Sequence, residues 1–294
     1  MMRRTAALTF DIHQDDRPED IVACAEWLRK HAVPATFFVP TMMLDEARFS
    51  SALRELDNGL HDIGTHTHMH DSVEIAALEA ADPRPSELDF LDLSTERFHG
   101  FFGRSPRVFR SPFWCYVNDA AADRLTRLGY TVDSSSTPQR PGVFSSNPSA
   151  SPWLFSPRSP HLRTETLLEV PTSCLLFPLN RTALSLFRMT GSLAFLSLFM
   201  LESALAPQRP VVMQFHVDDL VPTGLSEPRK FRWSELLPAR GVGINARYWL
   251  IDMDRGRSVA RTIGVCDALT LAGFEFATLS TIHRRATARR GARP

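Results

Sequence analysis

Short, continuously apolar runs alternate along the chain with longer segments whose apolar residues recur every three or four positions. Residues 5–10, 35–39, 61–64, 107–110, 130–133, 166–170, 211–216 and 274–278 read as strands. The runs ATFFV at 35–39 and VVMQF at 211–215 show little polar alternation, the pattern of strands covered on both faces. Residues 18–31, 44–56, 87–102, 118–129 and 258–272 read as helices. Asp16 is the expected N-cap of the first, with Pro18 in its first turn, and Asn118 or Asp119 caps the fourth. Alternating strand and helix predicts an α/β domain around a parallel sheet or barrel. Residues 1–283 read as one domain. Residues 284–294, which hold Arg284, Arg285, Arg289, Arg290 and Arg293, read as a basic, disordered tail.

Two segments break the pattern. Residues 134–163 are rich in serine and proline and read as a long irregular excursion. Residues 182–206 are strongly apolar, with no charge between Met189 and Leu201. A spanning helix needs roughly 20 apolar residues, and Arg188 and Glu202 interrupt this run. It is read either as a buried helix or lid, or as an interfacial helix that meets a lipid-linked substrate.

The 294 residues suffice for a substantial core, and 44% of them are hydrophobic. Thirty-three basic residues balance 33 acidic ones, so no global field draws in nucleic acid or a membrane. Cys24, Cys115, Cys174 and Cys266 form no CxxC pair, which argues against a structural zinc site and for reduced thiols. The apolar stretch before Asp11 is too short for a secretory segment, so the expected location is cytoplasmic, with peripheral contact at the inner membrane face as the variant.

Candidate chemistry sits at the predicted strand ends, where α/β barrels gather their active sites. In Thr9-Phe10-Asp11-Ile12-His13, residues two apart face one side, so Asp11 and His13 point together. Such a pair fits a base beside a metal ligand, or two exposed polar residues. In Gly64-Thr65-His66-Thr67-His68-Met69-His70, His66 and His70 stand four apart. On a helical turn they would share a face and grip one divalent metal, with His68 turned away and His61 supporting or packing. Arg110, in Phe109-Arg110-Ser111-Pro112-Phe113-Trp114, suits a carboxylate partner, and the turn after it suits an oxyanion. Asp133 closes a strand at Tyr130-Thr131-Val132-Asp133, and His216 closes the strand before Val217-Asp218-Asp219. An aspartate beside a strand-end histidine makes that histidine a general acid.

Taken in order, TFDIH, HTHMH, RSPFW, YTVDSSS and FHVDD resemble the five motifs of the polysaccharide deacetylase (NodB-homology) family. The stretches LLEVP and GFEFATLS are similar to its strands. The resemblance covers nearly the whole chain and implies a distorted (β/α) barrel. It implies an N-acyl hydrolase, acetyl being the expected group, acting on an amino sugar, a glycan or a glycan precursor. Asp11 is then the base, Arg110 its holder, and His216 the acid oriented by Asp133. His66 and His70 are metal ligands, and Phe113 and Trp114 contact substrate. The family's first motif usually has a second aspartate where Ile12 stands. His13 is therefore the candidate third ligand, with Asp15 or Asp16 as alternatives. One divalent ion is implied, zinc first, with cobalt or nickel next. Alternatives are a deacylase of a lipid-linked formamido or acetamido sugar, a small-amide hydrolase, and a catalytically silent carbohydrate-binding homologue.

Overall fold

The computed structural model describes residues 4–140, 154–206, 209–220, 238–239, 243–244 and 255–291. Its centre is β1 (Arg4–Asp11), whose Ala6, Leu8 and Phe10 are fully buried. β1 pairs in parallel with β2 (Ala35–Val39) on one side and with β10 (Val211–His216) on the other. From β2 the sheet continues in parallel through β3 (Asp62–Thr65), β4 (Val108–Phe109), β5 (Val132–Asp133) and β7 (Leu168–Glu169). β6 (His161–Leu162) ends this path and is antiparallel to β7. β13 (Phe274–Phe276) joins the first half of β1, completing nine strands. Two small hairpins stand apart: β8 (Cys174–Leu175) with β9 (Phe177–Pro178), and β11 (Pro238–Ala239) with β12 (Gly243–Ile244). Strand twist curls this sheet into a half-barrel with helices outside, the distorted (β/α) barrel that the resemblance implies.

The helices are α1 (Pro18–Lys30), α2 (Ala47–Glu55), α3 (Ser72–Glu79), α4 (Asp89–Phe102), α5 (Asp119–Arg127), α6 (Arg181–Leu205), α7 (Arg255–Leu271) and α8 (Leu279–Gly291). The largest core cluster lies between β1, β2 and β10 and the inward faces of α1, α2, α6 and α7. Asn118 caps α5 by accepting the Ala121 N–H at 2.8 Å, as expected. Asp16 does not cap α1. The capping position is Arg17, without a side-chain bond, and Asp16 Oδ2 accepts the His13 backbone N–H at 2.7 Å. All four cysteines are free and buried.

Three further expectations are corrected. The segment from residue 284 is helical to Gly291 within α8, and Arg285 reaches back to Glu275 at 2.6 Å. Residues 292–294, with Arg293, lie outside the described residues. The segment 134–163 is ordered in its described parts: Ser134, Ser135, Ser136 and Thr137 are fully buried, and β6 closes it; residues 141–153 lie outside. α6 is not a wholly buried helix. Phe195, Leu196 and Phe199 pack inward, while Leu193, Leu198 and Leu201 are exposed.

β3 and β4 approach closely at Gly64, where a Cβ would stand 2.3 Å from the Val108 carbonyl oxygen. Backbone cannot yield as a side-chain tip can. Gly64→Ala is expected to cost about 3 kcal/mol, the upper part of the range for overpacking. A urea unfolding midpoint unchanged from wild type would show that the two strands separate freely.

Candidate active site

The sheet register brings the candidate residues together. Asp11 ends β1 opposite His216 at the end of β10, and Thr9 lies opposite Gln214. Thr65 ends β3 opposite Phe109, so His66 and Arg110 emerge side by side. Every site strand is parallel, so these residues gather at one end of the half-barrel.

Arg110 is fully buried. Its Nη1 donates to Asp11 Oδ1 at 2.9 Å and to Thr9 Oγ1 at 2.8 Å, its Nε to the Ser134 carbonyl at 2.9 Å, and its Nη2 to Ser134 Oγ at 3.0 Å. The guanidinium also lies 4.4 Å from the centre of the Phe38 ring. Gln214 Nε2 donates to the other Asp11 oxygen at 2.9 Å. Burial raises the Asp11 pKa, but the Arg110 charge, with His66 and His216 behind it, outweighs burial and holds the carboxyl below its usual range. Asp11 is thus a buried carboxylate kept ionised, with both oxygens oriented.

His66 and His70 meet, but not on a helical turn. β3 ends at Thr65, and a loop with left-handed Thr67 (φ 63°) and His70 (φ 58°) turns the second imidazole back. Buried Glu74 holds that loop, accepting the N–H groups of His68, Met69 and His70 at 2.9 to 3.2 Å. Asp71 then caps α3. The His66 and His70 rings are 4.8 Å apart, and His13 lies 4.9 Å from His70 and 6.2 Å from His66. His13 also stacks on His216 at 4.6 Å. His68 turns away to Thr41 Oγ1 at 3.0 Å. His61 is a packing residue: its Nδ1 accepts the Ala35 N–H at 3.2 Å, and burial pushes its pKa down to about 4.

His66 Nδ1 faces the Arg110 carbonyl at 2.8 Å. A carbonyl only accepts, so Nδ1 carries the proton and Nε2 holds a free lone pair. His13 Nε2 and His70 Nε2 are buried without a hydrogen-bond partner. Burial lowers the pKa of all three imidazoles, to about 3 for His66, and keeps them neutral. Among the described residues, no group of three or more His, Cys, Asp or Glu side chains stands at metal-holding spacing. Of the alternative ligands, Asp16 is occupied with the His13 N–H and is pushed by burial up to about 7, and Asp15 is exposed.

His216 behaves oppositely. Burial lowers its pKa, but the carboxylates of Asp219, Asp11, Asp16 and Asp218 together raise it. Asp133 is not among them, so the expectation that Asp133 orients His216 is corrected. Asp133 lies beside Glu169 on the neighbouring strand, and the two buried carboxyls share a hydrogen bond. Burial raises both, and Glu169 goes well up because it also faces the Asp133 charge. Asp133 accepts from Ser135, whose Oγ accepts the Ser111 N–H at 2.9 Å. Asp133 therefore braces the loop after β4. That loop carries left-handed Phe113 and Trp114, both with φ 52°. The Phe113 ring reaches to 5.1 Å from His70, whereas Trp114 packs under Arg140 at 4.5 Å.

The residue nearest to supporting His216 is Asp219. Its Oδ2 accepts the His216 N–H at 2.9 Å, and its Oδ1 accepts from Arg181 at 2.6 Å. Sequence reasoning passed over Asp219, Arg181, Gln214, Thr9 and Glu74. A signal existed for Gln214 and Thr9: each lies two residues before a site residue on a buried strand, and so on the same face.

Residues 1–132 match the family model for polysaccharide deacetylase. The match spans 132 of the 294 residues. Asp133 and His216 lie beyond it. A candidate polysaccharide deacetylase from Mycobacterium smegmatis superposes with a TM-score of 0.59 at 18% identity, over 99% of this chain and 92% of that one. A CE4 family pseudoenzyme from Bacillus anthracis gives 0.50 at 11% identity, over 96% of this chain and 66% of that one. A mutant of that pseudoenzyme with restored enzymatic activity gives 0.50 at 11%, over 96% and 68%. These likenesses support the fold. No curated protein matches the chain.

The neutral imidazoles make a pH prediction. An unfolded histidine binds a proton below about pH 6.5, and folded His66 does so only near 3. Folding therefore loses stability as pH falls below 6.5, by about 2 kcal/mol from His66 alone at about pH 5. His13, His61 and His70 act in the same direction; His216 and the buried carboxyls Asp16, Asp133, Glu169 and Asp219, whose pKa values are raised, act in the opposite one. With chelator present, urea unfolding of His66→Gln should therefore lose less stability than wild type, by about 2 kcal/mol, between about pH 7 and about pH 5. The same pH dependence in wild type and variant would remove His66 from the account.

Proposed function

We propose that this protein is a metal-dependent hydrolase that removes an N-acyl group, acetyl by expectation, from an amino sugar or glycan precursor. The carrying observation is Asp11: a buried carboxylate held ionised by Arg110 and set among three neutral imidazoles, with His216 opposite it in the register. The donor types, though not their present spacing, suit a metal. His13 and His70 each present a buried, unpartnered Nε2, and the His66 tautomer leaves its Nε2 lone pair free. His13, His66 and His70 would hold one divalent ion, zinc by the nitrogen donors, cobalt or nickel next. Bound there, such an ion polarises an acyl carbonyl and lowers the pKa of a coordinated water.

The chain's own residues supply the remaining chemistry. Asp11 accepts the proton of the attacking water; Arg110 and Gln214 hold it in the ionised form and fix its orientation. His216, its pKa raised by the surrounding carboxylates against the effect of burial, delivers a proton to the leaving amine. The backbone N–H of Phe113 would meet the developing oxyanion, and the exposed Phe113 ring would form a wall for a sugar face. Asp133 contributes by bracing the loop that carries Phe113.

A second substrate reading, an amino sugar on a lipid carrier handled at the inner membrane face, is favoured by the apolar outward side of α6. A catalytically silent carbohydrate binder is the reading that remains if the metal site does not exist.

Elemental mass spectrometry on wild type and His13→Ala tests the metal reading. About one divalent ion per chain is expected in wild type, with loss in the variant. A wild type that takes up neither zinc nor cobalt overturns it. Asp11→Asn should keep the ion and lose on the order of 10²- to 10⁴-fold in kcat on an N-acetylated oligosaccharide. Full activity in that variant would remove Asp11 from the mechanism.

A further inference from the structure

α6 is apolar on both of its faces. Inward, Phe195, Leu196 and Phe199 pack into the core. Outward, from Met189 to Leu205, the exposed positions are leucine, methionine, alanine, serine and threonine, without one ionisable group. Leu193, Leu198, Leu201 and Leu205 supply the large side chains, on the half of the helix turned from Phe195 and Phe199, while the tip of Met189 lies beside Gly264 of α7. The stretch is about 25 Å long at 1.5 Å per residue. Glu202, its single charge, is drawn to Arg158 at 2.6 Å and Arg209 at 3.5 Å. The patch extends sideways: Phe177 of the β8–β9 hairpin packs on Phe187 of α6, and the next residue, Leu176, is exposed. A contiguous apolar face of this kind on a water-facing helix calls for a covering partner.

α6 is long and apolar enough to cross a bilayer by length and composition, yet it is tied into the fold. Arg181 at its start grips Asp218 and Asp219, Glu202 near its end is held by two arginines, and Ser192 bonds across the break at Arg188 to the Leu184 carbonyl. It therefore stays in place and offers its face sideways.

We propose that this face docks on an anionic lipid bilayer, with α6 lying in the membrane plane. Charge complementarity selects this partner over a second copy of the chain. Arg188, exposed next to Met189, has no carboxylate partner among the described residues. A second copy would present another uncharged face, its one carboxylate already held by two arginines. Anionic head groups supply both an apolar layer for the leucines and phosphates for Arg188. Docking rests on α6 alone. One consequence rests on the hydrolase reading: Arg181, which opens α6, also holds the Asp219 that supports His216, so a docked α6 sets the cleft at the lipid surface, suited to an amino sugar on a lipid carrier.

The test is co-sedimentation with vesicles of phosphatidylcholine alone and of phosphatidylcholine mixed with phosphatidylglycerol. Wild type, Arg188→Gln and the double variant Leu193→Glu/Leu201→Glu are compared, and unfolding midpoints confirm that the variants fold. Wild type should pellet with the mixed vesicles, Arg188→Gln should bind them less, and the double variant should lose about tenfold or more. Wild type remaining in the supernatant with both vesicles overturns the proposal. So does a wild-type dimer, seen by light scattering, that the double variant converts to monomer. The assay uses no substrate, so its failure leaves the hydrolase reading standing, and an inactive enzyme that still binds vesicles leaves the docking reading standing.

Discussion

The ion pair between Arg110 and Asp11 organises the strand ends. A guanidinium with no solvent access is tolerable only if nearly every N–H finds an acceptor, and removing one partner from such a pair costs on the order of 3–5 kcal/mol. The acceptors come from two separate places: Thr9 and Asp11 on β1, and Ser134 after β5. Gln214 on β10 completes the carboxylate's shell. One side chain thus fixes the relative positions of β1, β4 and β5, and through Gln214 that of β10. The same contacts keep Asp11 ionised in a place where burial alone would protonate it. Structural restraint and chemical poise come from one interaction.

Around that pair the charged groups fall into two environments. His13, His66 and His70 are neutral because burial dominates, while His216 is surrounded by carboxylates that favour its protonated form. The stacked rings of His13 and His216 mark the border between the two. A second carboxyl pair, Asp133 with Glu169, is fully buried, and burial pushes both pKa values up. It acts on the loop after β4 through Ser135 and Ser111. Two adjacent carboxyls therefore serve as a brace, and the carboxylate that attends the acid sits instead on the short turn after β10, locked by Arg181.

That lock also links the cleft to the outer surface. α6 starts at Arg181, within one side chain of the His216 turn, and then runs outward with apolar residues on both faces. A helix whose only duty was to close the barrel would place polar residues on its water side. Inward, Phe195, Leu196 and Phe199 supply its packing.

The chain pattern by itself determined the buried strands and the order of the motifs. ATFFV and VVMQFH fall on β2 and β10 because an uninterrupted apolar run has few stable places other than a sheet covered on both sides. The five motif positions were legible for the same reason: polar residues that interrupt such runs at a strand end must face the same mouth. Only tertiary structure decided which of them meet. His66 and His70 share a site through left-handed turns held by Glu74, a contact from a helix that spacing did not announce. Asp133 pairs with Glu169 and not with His216 because register, a property of two strands, sets its neighbour. The same limit holds for Asp219 and Arg181, 38 residues apart in sequence and 2.6 Å apart in space. Local sequence fixes which residues reach a strand end; the packing of whole elements fixes what each one finds there.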